Sequence, residues 1–449
     1  MRWDLDTVIA ATSGRLRAAT AGGSPVVFPS VATDSRRLEP GALFVPIRGE
    51  RDGHDFIDAA VQAGAAAYLV EAAHPRTGEL PAVTAIEVAD TGAALLDLGR
   101  AARDRLPVPL VGITGSVGKT STKDMAAAVL GRRWSVAASP RSFNNELGVP
   151  LTLANAAEDA EIAVIEMGAR AGGHVAMLCR LARPTVGVVT AVAAVHTEMF
   201  GSVEAVAQAK GELVEALPPG GTAVLNGDDR RVSAMADRTD AEVIRYSATG
   251  RPGADVVAED VSVGDDLRPR FRLRSAWGSA ELTLGARGAH QVGNALAAAA
   301  VGLRSGVPLD DTAAALEEAV LSPWRMELGR TVGGATLLND AYNANPVSVT
   351  AALRALAALP ARRRVAVLGG MTELGPEGPE AHRAVAALAR DLGIDLLAVG
   401  TADYGMPPLP DNDAVVAALA DLGPDDAVLI KGSRVIGMER LAHRLAVQR

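Results

Sequence analysis

The chain has 449 residues, more than one hydrophobic core usually organises, so two or three domains are expected. Its formal charge of -9 at pH 7 argues against a general nucleic-acid binder, which requires a basic face. A hydrophobic content of 49% argues against disorder, and an aromatic content of only 3% favours layered packing of helices and sheets.

Cysteine usage and hydropathy bear on the compartment. Cys179 is the one cysteine in the sequence, so no intramolecular disulfide can form, which fits a reducing compartment. The first twenty residues carry acids early and lack the apolar run of a signal peptide, and no stretch of about 20 uncharged apolar residues follows. The sequence therefore predicts a soluble cytoplasmic protein with no membrane span.

Residues 1–107 have a mixed α/β pattern. A short strand is predicted at residues 42–46, and a helix followed by a strand is predicted in FIDAAVQAGAAAYLV. The run RDRLPVP, residues 103–109, is interpreted as the linker to the next domain.

Residues 108–328 have the pattern of a nucleotide-binding α/β domain. The strand VGIT precedes a glycine-containing turn and a helix that begins near Lys119, and further strands are predicted in AEIAVIEMG, TVGVVTAV and TAVLNGD. Residues 255–285 are polar and alternating, which predicts a small β excursion.

Residues 329–449 alternate predicted strands, in ATLLND, RVAVLGG, DLLAVG and AVLIKG, with alanine-rich helical stretches. Such alternation indicates a second parallel sheet. The predicted fold class is therefore α/β with three domains, at residues 1–107, 108–328 and 329–449.

The segment from Gly112 to Thr120 lies between a predicted strand and a predicted helix, where backbone N–H groups and the helix N-terminus can cradle phosphates. Lys119 would reach the β and γ phosphates and Thr120 would ligate Mg²⁺. The strict phosphate-loop pattern is not met, because Ile113 stands where the first glycine belongs. The alternative is a glycine turn that happens to precede a Lys-Thr pair.

Lysine is scarce in a chain that otherwise relies on arginine. Lys and Arg total 44, but only four are lysines, at 119, 123, 210 and 431. Such positions are candidates for a point charge or a deprotonatable amine. Lys123 lies one helical turn after Lys119, and either a solvated or a catalytic role is open for it.

Glu166 ends the predicted strand AVIEMG and His196 follows the strand VVTAV, so both would project at the carboxyl edge of the sheet, where ligands bind. A carboxylate suits Mg²⁺, whereas a single imidazole is an unusual Mg²⁺ ligand and is more often structural.

Lys210 lies on the amphipathic helix VEAVAQAKGELVEALP, where a surface lysine is the ordinary interpretation. A neutral lysine amine can instead add carbon dioxide and become a carbamate, an anion able to hold a metal. Arginine cannot do this, because its guanidinium stays protonated.

These motifs, in this order, resemble the Mur ligases, and within them the branch that joins D-alanyl-D-alanine to a UDP-N-acetylmuramoyl-tripeptide. The likeness spans nearly the whole chain, through ATDSRRLEPGALFVPIRGE, TGSVGKTSTKD, SFNNELGVPLTL, EMGA, HTEMFGSVEAVAQAKGE, HQVGNALAA, SPWRMEL, NDAYNANPVSVTAAL, GGMTELG and VLIKGSR. Ser116-Val117 replaces the Thr-Asn commoner in the family's loop, which is expected to tune the phosphate contacts.

The resemblance implies three domains: a uridine-nucleotide-binding domain, a central phosphate-loop ATPase with a mostly parallel sheet, and a Rossmann-like domain that closes over ATP and binds the incoming dipeptide. It implies metal ligation by Thr120, Glu166, His196 and a carbamylated Lys210, with Lys119 also catalytic. The implied ATP contacts are Gly115, Ser116, Gly118, Lys119, Thr120, Ser121, Asn294, Arg325, Asp340, Asn343 and Asn345. The implied substrate contacts are Ser35, Arg36, Arg48, Asn144, Asn145, Lys431 and Ser433.

The implied reaction is ATP-dependent amide ligation through an acyl phosphate, in the cytoplasmic stage of peptidoglycan precursor synthesis. ATP, two Mg²⁺ ions and carbon dioxide as the lysine carbamate are the expected cofactors, and a monomer is expected. The alternatives are a Mur ligase that adds a diamino acid, a folate polyglutamylating ligase, and a non-catalytic nucleotide-binding regulator.

Overall fold

The computed structural model describes residues 1–18, 27–74, 81, 83–194 and 197–447. The chain forms two compact units. One comprises residues 1–112, 134–168 and 175–185, and the other comprises residues 113–133, 169–174 and 186–449. Among the described helices, none is long and apolar enough to cross a membrane.

The amino-terminal part of the first unit is built on a five-stranded sheet of order β2-β7-β6-β5-β4. Its strands β4 to β7 run parallel and β2 is antiparallel at the edge. The elements are β1 (Trp3–Asp4), α1 (Leu5–Thr12), β2 (Arg15–Ala18), β3 (Val27–Phe28), β4 (Val31–Ala32), β5 (Leu43–Phe44), α2 (Ile57–Gln62), β6 (Ala67–Glu71), β7 (Thr84–Val88) and α3 (Thr91–Arg105). The short β1 and β3 pair with each other.

Helix α3 corrects the predicted linker, because residues 103–105 are its last residues rather than a connection. The Arg103 side chain is buried and donates hydrogen bonds to the carbonyl oxygens of Ala182, at 2.6 Å, and Val108, at 3.0 Å. A charged side chain that satisfies buried carbonyls looks, in the sequence, like any arginine of a polar linker. The connection is therefore shorter than the charge pattern predicts.

The first unit also carries β9 (Val136–Ala138), α5 (Gly148–Ala154), β10 (Ile162–Glu166) and α6 (His174–Ala182). Strands β9 and β10 pair in parallel, and β10 is buried along its whole length. A strand covered on both faces reads as a continuous apolar run, which is why AEIAVIEMG predicts it correctly. Its last residue, Glu166, is the exception to that apolar run.

The strand before the phosphate loop, β8 (Leu110–Thr114), begins in the first unit and ends in the second. The central elements that follow in the second unit are α4 (Lys119–Leu130), β11 (Val186–Val189), α7 (Thr197–Phe200), α8 (Val203–Glu215), β12 (Thr222–Asn226), α9 (Arg230–Ser233), β13 (Glu242–Ser247), β14 (Val256–Val263), β15 (Pro269–Ser275), β16 (Gly278–Thr283), α10 (Gln291–Arg304) and α11 (Leu309–Glu318).

Strands β11 to β14 run parallel in chain order, and β15 and β16 extend the sheet as antiparallel hairpins. The predicted β excursion is confirmed as these hairpins. Helices α4 and α10 pack so closely that a Cβ atom on Gly302 would lie 2.2 Å from a methyl carbon of Val129. This contact holds the phosphate-loop helix against α10, which carries Asn294.

The carboxyl-terminal part contains β17 (Glu327–Arg330), β18 (Thr336–Asn339), α12 (Pro346–Ala358), β19 (Arg363–Gly369), α13 (Gly378–Asp391), β20 (Asp395–Val399), α14 (Asn412–Ala418), β21 (Asp426–Lys431) and α15 (Met438–Leu445). The sheet order is β17-β18-β21-β19-β20, parallel except for β17 at the edge. Two hydrophobic clusters cover this sheet, one including residues of α12 and α13 and the other residues of α14 and α15.

Candidate active site

The phosphate loop between β8 and α4 requires its two glycines. Gly115 and Gly118 both have positive φ, 143° and 87°. A Cβ atom at Gly115 would lie 2.0 Å from the Thr190 hydroxyl oxygen, and one at Gly118 would lie 2.3 Å from the Asn294 amide oxygen. Glycine is needed here both for backbone conformation and for space. The loop therefore has a fixed shape before any ligand arrives.

Thr190, the residue after β11, contacts the phosphate loop through its side chain. Its hydroxyl donates to the Val117 carbonyl oxygen at 2.6 Å and also lies 3.2 Å from the carbonyl oxygen of Thr114. The carbonyl of Thr190 in turn accepts hydrogen bonds from Asn226, at 2.7 Å, and from the Tyr246 hydroxyl, at 3.2 Å. Residues of β12 and β13 therefore fix Thr190, which in turn fixes the phosphate loop.

Ser116 closes the loop against the segment after Thr190. Its N–H donates to the Ala191 carbonyl at 2.7 Å, its hydroxyl donates to the Ala193 carbonyl at 3.2 Å, and the Ala193 N–H donates back to that hydroxyl at 2.9 Å. Ser116, predicted as an ATP contact, therefore uses these polar groups to shape the loop. The direct contact with ATP stays a prediction.

Lys119 begins α4 and folds its side chain back over the loop. Its ammonium group donates to the Gly115 carbonyl at 2.6 Å and lies 3.4 Å from that of Ser116. Thr120 and Ser121 follow in the first turn and are buried. Since a helix's first turn has N–H groups without intrahelical acceptors, this end favours anions. The ammonium group of Lys119 therefore lies over the loop where phosphates would bind.

Asn294 on α10 backs the loop from the other side. Its amide nitrogen donates to Gln291 at 2.7 Å, and its amide oxygen accepts from Thr122 of α4 at 3.3 Å. These bonds fix the orientation of a buried amide whose oxygen faces Gly118. The structure thus places the predicted ATP contact Asn294 directly against the phosphate loop.

Asp340 and Lys431, both predicted site residues, form a buried ion pair. Asp340 follows β18 and Lys431 ends the adjacent β21, so parallel pairing brings them to one sheet edge. The Lys431 ammonium lies 2.5 Å from the Asp340 carboxylate and donates to the Asn343 carbonyl at 2.8 Å. The pair fixes the turn that carries the exposed Asn343.

Arg325 lies beside this pair with its guanidinium 4.1 Å from the centre of the Tyr342 ring. Such stacking holds the planar fork while leaving its edge for a ligand. The buried Nε of Arg325 has no hydrogen-bond partner within the described part of the chain. A buried donor without a partner is uncommon in folded proteins.

Two further predicted contacts have structural duties. Asn345 caps α12 by accepting from the Ser348 N–H at 2.9 Å, and Ser348 returns a bond to complete a capping box. The buried hydroxyl of Ser433 donates to the Ala344 carbonyl at 3.3 Å and accepts from the Thr372 N–H at 2.9 Å. Both side chains position the turns around Asn343.

Lys210 is buried on α8, with 2% of its surface exposed, so the surface-lysine interpretation is wrong. The next residue, Gly211, leaves room for Arg238, since a Cβ atom there would lie 1.8 Å from that guanidinium. Arg238 donates to the Gln208 carbonyl at 3.0 Å and to Glu215 at 2.7 Å. This clamp on α8 sets the position from which Lys210 projects.

Glu166 and Asn144 come together within the first unit. The buried Glu166 carboxylate accepts from the Asn144 amide at 2.7 Å, and its backbone N–H donates to Ser139 at 3.1 Å. The neighbouring Asn145 accepts from the Leu147 and Gly148 N–H groups and so starts α5. The structure thus orients Glu166 by an amide, while the Asn145 oxygen serves the fold.

The amino-terminal candidates lie on loops of the first unit. Arg36 is exposed and pairs with Asp34 at 2.8 Å, and this hydrogen-bonded contact lowers the pKa of Asp34. Arg48 pairs with Glu71 at 2.6 Å. Ser35, between Asp34 and Arg36 in the sequence, is half-buried. These arginines present cationic groups for anions, each already oriented by a carboxylate.

One predicted residue, His196, lies outside the described residues. Lys123 is the opposite case, because its side chain is only 4% exposed, so the solvated-helix interpretation is wrong. Thr190 and Asp124 were missed by the sequence. The signal for Thr190 is its place at the carboxyl end of β11, directly comparable with that of Glu166 after β10. For Asp124 no sequence signal separates it from a surface carboxylate.

Comparison with known proteins agrees with this geometry. Three family models match the chain: the Mur ligase family catalytic domain at residues 28–103, the Mur ligase middle domain at 113–302, and the Mur ligase glutamate ligase domain at 324–434. The chain belongs to the Mur ligase family. The three-domain α/β fold class predicted from the sequence is confirmed for this Mur ligase by its similarity to solved members.

One curated relative and two solved structures illustrate the similarity. The UDP-N-acetylmuramoyl-tripeptide--D-alanyl-D-alanine ligase of Mycobacterium tuberculosis is 40% identical over 93% of this Mur ligase and 92% of its own length. A crystal structure of MurF from Acinetobacter baumannii superposes with a TM-score of 0.85 at 27% identity, covering 99% and 98% of the two chains. MurF from Thermotoga maritima in complex with ADP has a TM-score of 0.77 at 26% identity, covering 92% and 96%.

Proposed function

We propose that this Mur ligase joins D-alanyl-D-alanine to UDP-N-acetylmuramoyl-tripeptide at the expense of ATP. The observation that carries the proposal is the braced phosphate loop, with Lys119 over it and Asn294 behind it. The relatives named for this reaction match over nine tenths of the chain. A pre-shaped anion site on an α/β scaffold supports the use of a nucleotide. The identity of the acceptor is inferred from the reaction for which the relatives are named.

Lys119 and the first turn of α4 would bind the β and γ phosphates. Arg325, held flat on Tyr342, and the turn with Asp340 and Asn343 would contact the rest of the nucleotide. Lys431 keeps that turn in place through its ion pair with Asp340. The positions of these cations and N–H groups in the second unit support the assignments, because phosphoryl transfer requires positioned positive charges and hydrogen-bond donors.

Two Mg²⁺ ions fit the donor set proposed for them. The Thr120 hydroxyl and the Glu166 carboxylate are hard oxygen donors, which Mg²⁺ prefers. The Asn144 amide bonded to Glu166 would orient its carboxylate for metal binding. His196 would add a ligand. When bound, the ions would neutralise negative charge on the transferring phosphoryl group.

A carbamate on Lys210 is part of the proposal. The amine is buried on a helix clamped by Arg238, and the chain otherwise prefers arginine, which cannot form a carbamate. Addition joins the amine nitrogen to the carbon of carbon dioxide and releases one proton. The product is a carboxylate-like anion, able to support the metal site in place of a cation.

For the substrates, we propose that residues 1–107 hold the uridine nucleotide with Ser35, Arg36 and Arg48. The acceptor and tripeptide would meet the side chains of Asn144, Asn145, Lys431 and Ser433, directly or through the turns that these residues fix. Residues 108–328 would be the ATPase domain and 329–449 the closing domain. A cytoplasmic monomer is proposed, consistent with a lone buried cysteine.

The reaction would proceed in two steps. The terminal carboxylate of the tripeptide attacks the γ-phosphorus of ATP, the bond to ADP breaks, and an acyl phosphate forms. The amine of D-alanyl-D-alanine then attacks the acyl carbon and phosphate leaves with one carboxylate oxygen. Exclusion of water by closure of the carboxyl-terminal domain would protect the acyl phosphate.

An acceptor panel tests the assignment. With ATP and the UDP-linked tripeptide, we expect ADP release to depend on D-alanyl-D-alanine and to yield the UDP-linked pentapeptide by mass spectrometry. Stimulation by diaminopimelate or glutamate with shorter UDP-linked or folate substrates would instead identify one of the alternative ligases. No turnover with any acceptor would favour a nucleotide-binding regulator.

A further inference from the structure

A buried pair on α4 has no part in the proposed chemistry. The Lys123 ammonium lies 2.7 Å from the Asp124 carboxylate, and the two side chains are only 4% and 12% exposed. Charges removed from water to this extent are retained only when their partners compensate the lost hydration. The position of the pair is notable because α4 starts at the phosphate loop, one turn before Lys123.

The second partner of Asp124 is remote in sequence. Ser322 donates its backbone N–H to one carboxylate oxygen at 2.7 Å and its hydroxyl to the other at 3.1 Å. Ser322 belongs to residues 319–326, named here the linker, which connects α11 to β17. Asp124 on the phosphate-loop helix therefore binds the linker that leads into residues 329–449.

The linker is strained where it leaves Ser322. Trp324 and Met326 have φ angles of 64° and 53°, a left-handed conformation that is costly for bulky residues unless neighbouring contacts enforce it. Met326 donates its N–H to the Asp340 carboxylate at 3.2 Å, and the Trp324 carbonyl accepts from the Tyr342 N–H at 3.2 Å. Hydrogen bonds to Asp340 and Tyr342 therefore enforce the left-handed conformation of the linker.

Arg325 lies between these two strained residues. Its backbone direction, and with it the guanidinium stacked on Tyr342, depends on the linker holding its shape. One end of the linker is fixed by Asp124, and the other by the turn that contains Asp340. A change in either anchor must therefore alter the placement of the predicted nucleotide contacts.

We propose that Asp124 is a positioning residue that sets the linker, and through it Arg325 and Asp340, relative to the phosphate loop. Lys123 pairs with the Asp124 carboxylate and keeps it oriented so that both of its oxygens accept from Ser322. Lys123 is therefore not a phosphate ligand. The effect on catalysis rests on the proposed ligase function, but the effect on linker conformation does not.

The test compares Asp124→Asn with Arg132→Gln. Asparagine offers one acceptor instead of two, whereas Arg132 forms a more exposed ion pair with Glu318 of α11 and leaves Ser322 untouched. Hydrogen exchange of peptides spanning 319–326, ADP affinity by calorimetry, and steady-state kinetics are measured on each full-length protein. Melting temperatures establish that the variants are folded.

For Asp124→Asn we expect linker exchange to rise about tenfold and kcat to fall about tenfold, the scale of losing a hydrogen bond to a charged group. The ADP dissociation constant and KM for ATP should both rise by about three- to tenfold, because Arg325 and the turn with Asp340 lose their placement relative to the phosphate loop. Arg132→Gln should match wild type throughout. Wild-type ADP affinity, or linker exchange unchanged from wild type, would overturn the proposal.

Two further variants make the result independent of any folding defect. Ser322→Ala keeps the ion pair and the backbone bond, so a smaller rise in linker exchange is expected. The double variant Lys123→Met with Asp124→Asn should retain more activity than Lys123→Met alone, since the single change leaves an uncompensated carboxylate. Additive losses would contradict the coupling. A wild type inactive with D-alanyl-D-alanine would refute the ligase assignment and leave the exchange result standing.

Discussion

Lys210→Ala is expected to be nearly inactive, with kcat reduced by at least about 10²-fold, the scale seen when support for a metal site is lost. Short carboxylates such as formate or acetate should partly restore activity, because they can occupy the space and charge of the lost carbamate. Lys210→Arg should be inactive and should not respond to carboxylates, since a guanidinium fills the space and cannot form a carbamate.

A matched control is available on the same helix. Gln208 is exposed on α8, so Gln208→Ala should keep wild-type kcat and show no response to formate. Mass spectrometry of native protein under carbon dioxide gives a readout separate from activity, with a mass increase expected at Lys210 alone. Wild-type turnover in Lys210→Ala would end the carbamate proposal.

Lys119→Arg is expected to lower kcat/KM for ATP on the order of 10³-fold, the scale of losing a group that stabilises the transferring phosphoryl. The lysine ammonium donates to the Gly115 carbonyl at 2.6 Å as a compact point charge, which the larger planar guanidinium of arginine does not reproduce. Steady-state kinetics and ADP binding measure the loss.

The matched control makes the opposite substitution, arginine to lysine, at a position where the sequence has arginine. Arg132→Lys, at a partly exposed ion pair with Glu318, should leave kinetics and melting temperature unchanged. If arginine at position 119 supported normal turnover, the lysine would reflect chance retention rather than phosphate chemistry. The two outcomes are separated by three orders of magnitude, well beyond assay error.

The fold could be predicted from the sequence wherever burial is complete. Strands β10, β11 and β12 are mostly apolar, and so is the interior of β21 between its two charged end residues. Parallel pairing then places the last residue of each strand at the carboxyl edge of its own sheet. Family motifs supplied the remaining assignments. Hydrophobic pattern therefore gave the scaffold, and the resemblance gave the roles of Glu166, Asn294 and Lys431.

The sequence did not reveal the charged and polar side chains that are buried in the fold, although such side chains are usually exposed to solvent. Arg103 satisfies buried carbonyls at the end of α3, and Lys123 is buried beside Asp124, yet both occur in segments that read as polar and solvated. Thr190 braces the phosphate loop through its hydroxyl, and its place directly after β11 marks the sheet edge without revealing that contact. Each depends on partners distant in sequence.

Transfer of an oxygen atom tests the central claim of acyl-phosphate ligation most directly. The UDP-linked tripeptide is labelled with ¹⁸O in both oxygens of its terminal carboxylate and incubated with ATP and D-alanyl-D-alanine. Mass spectrometry should find one ¹⁸O in each inorganic phosphate released and one in the new amide carbonyl. Pentapeptide formed together with unlabelled phosphate would contradict the account.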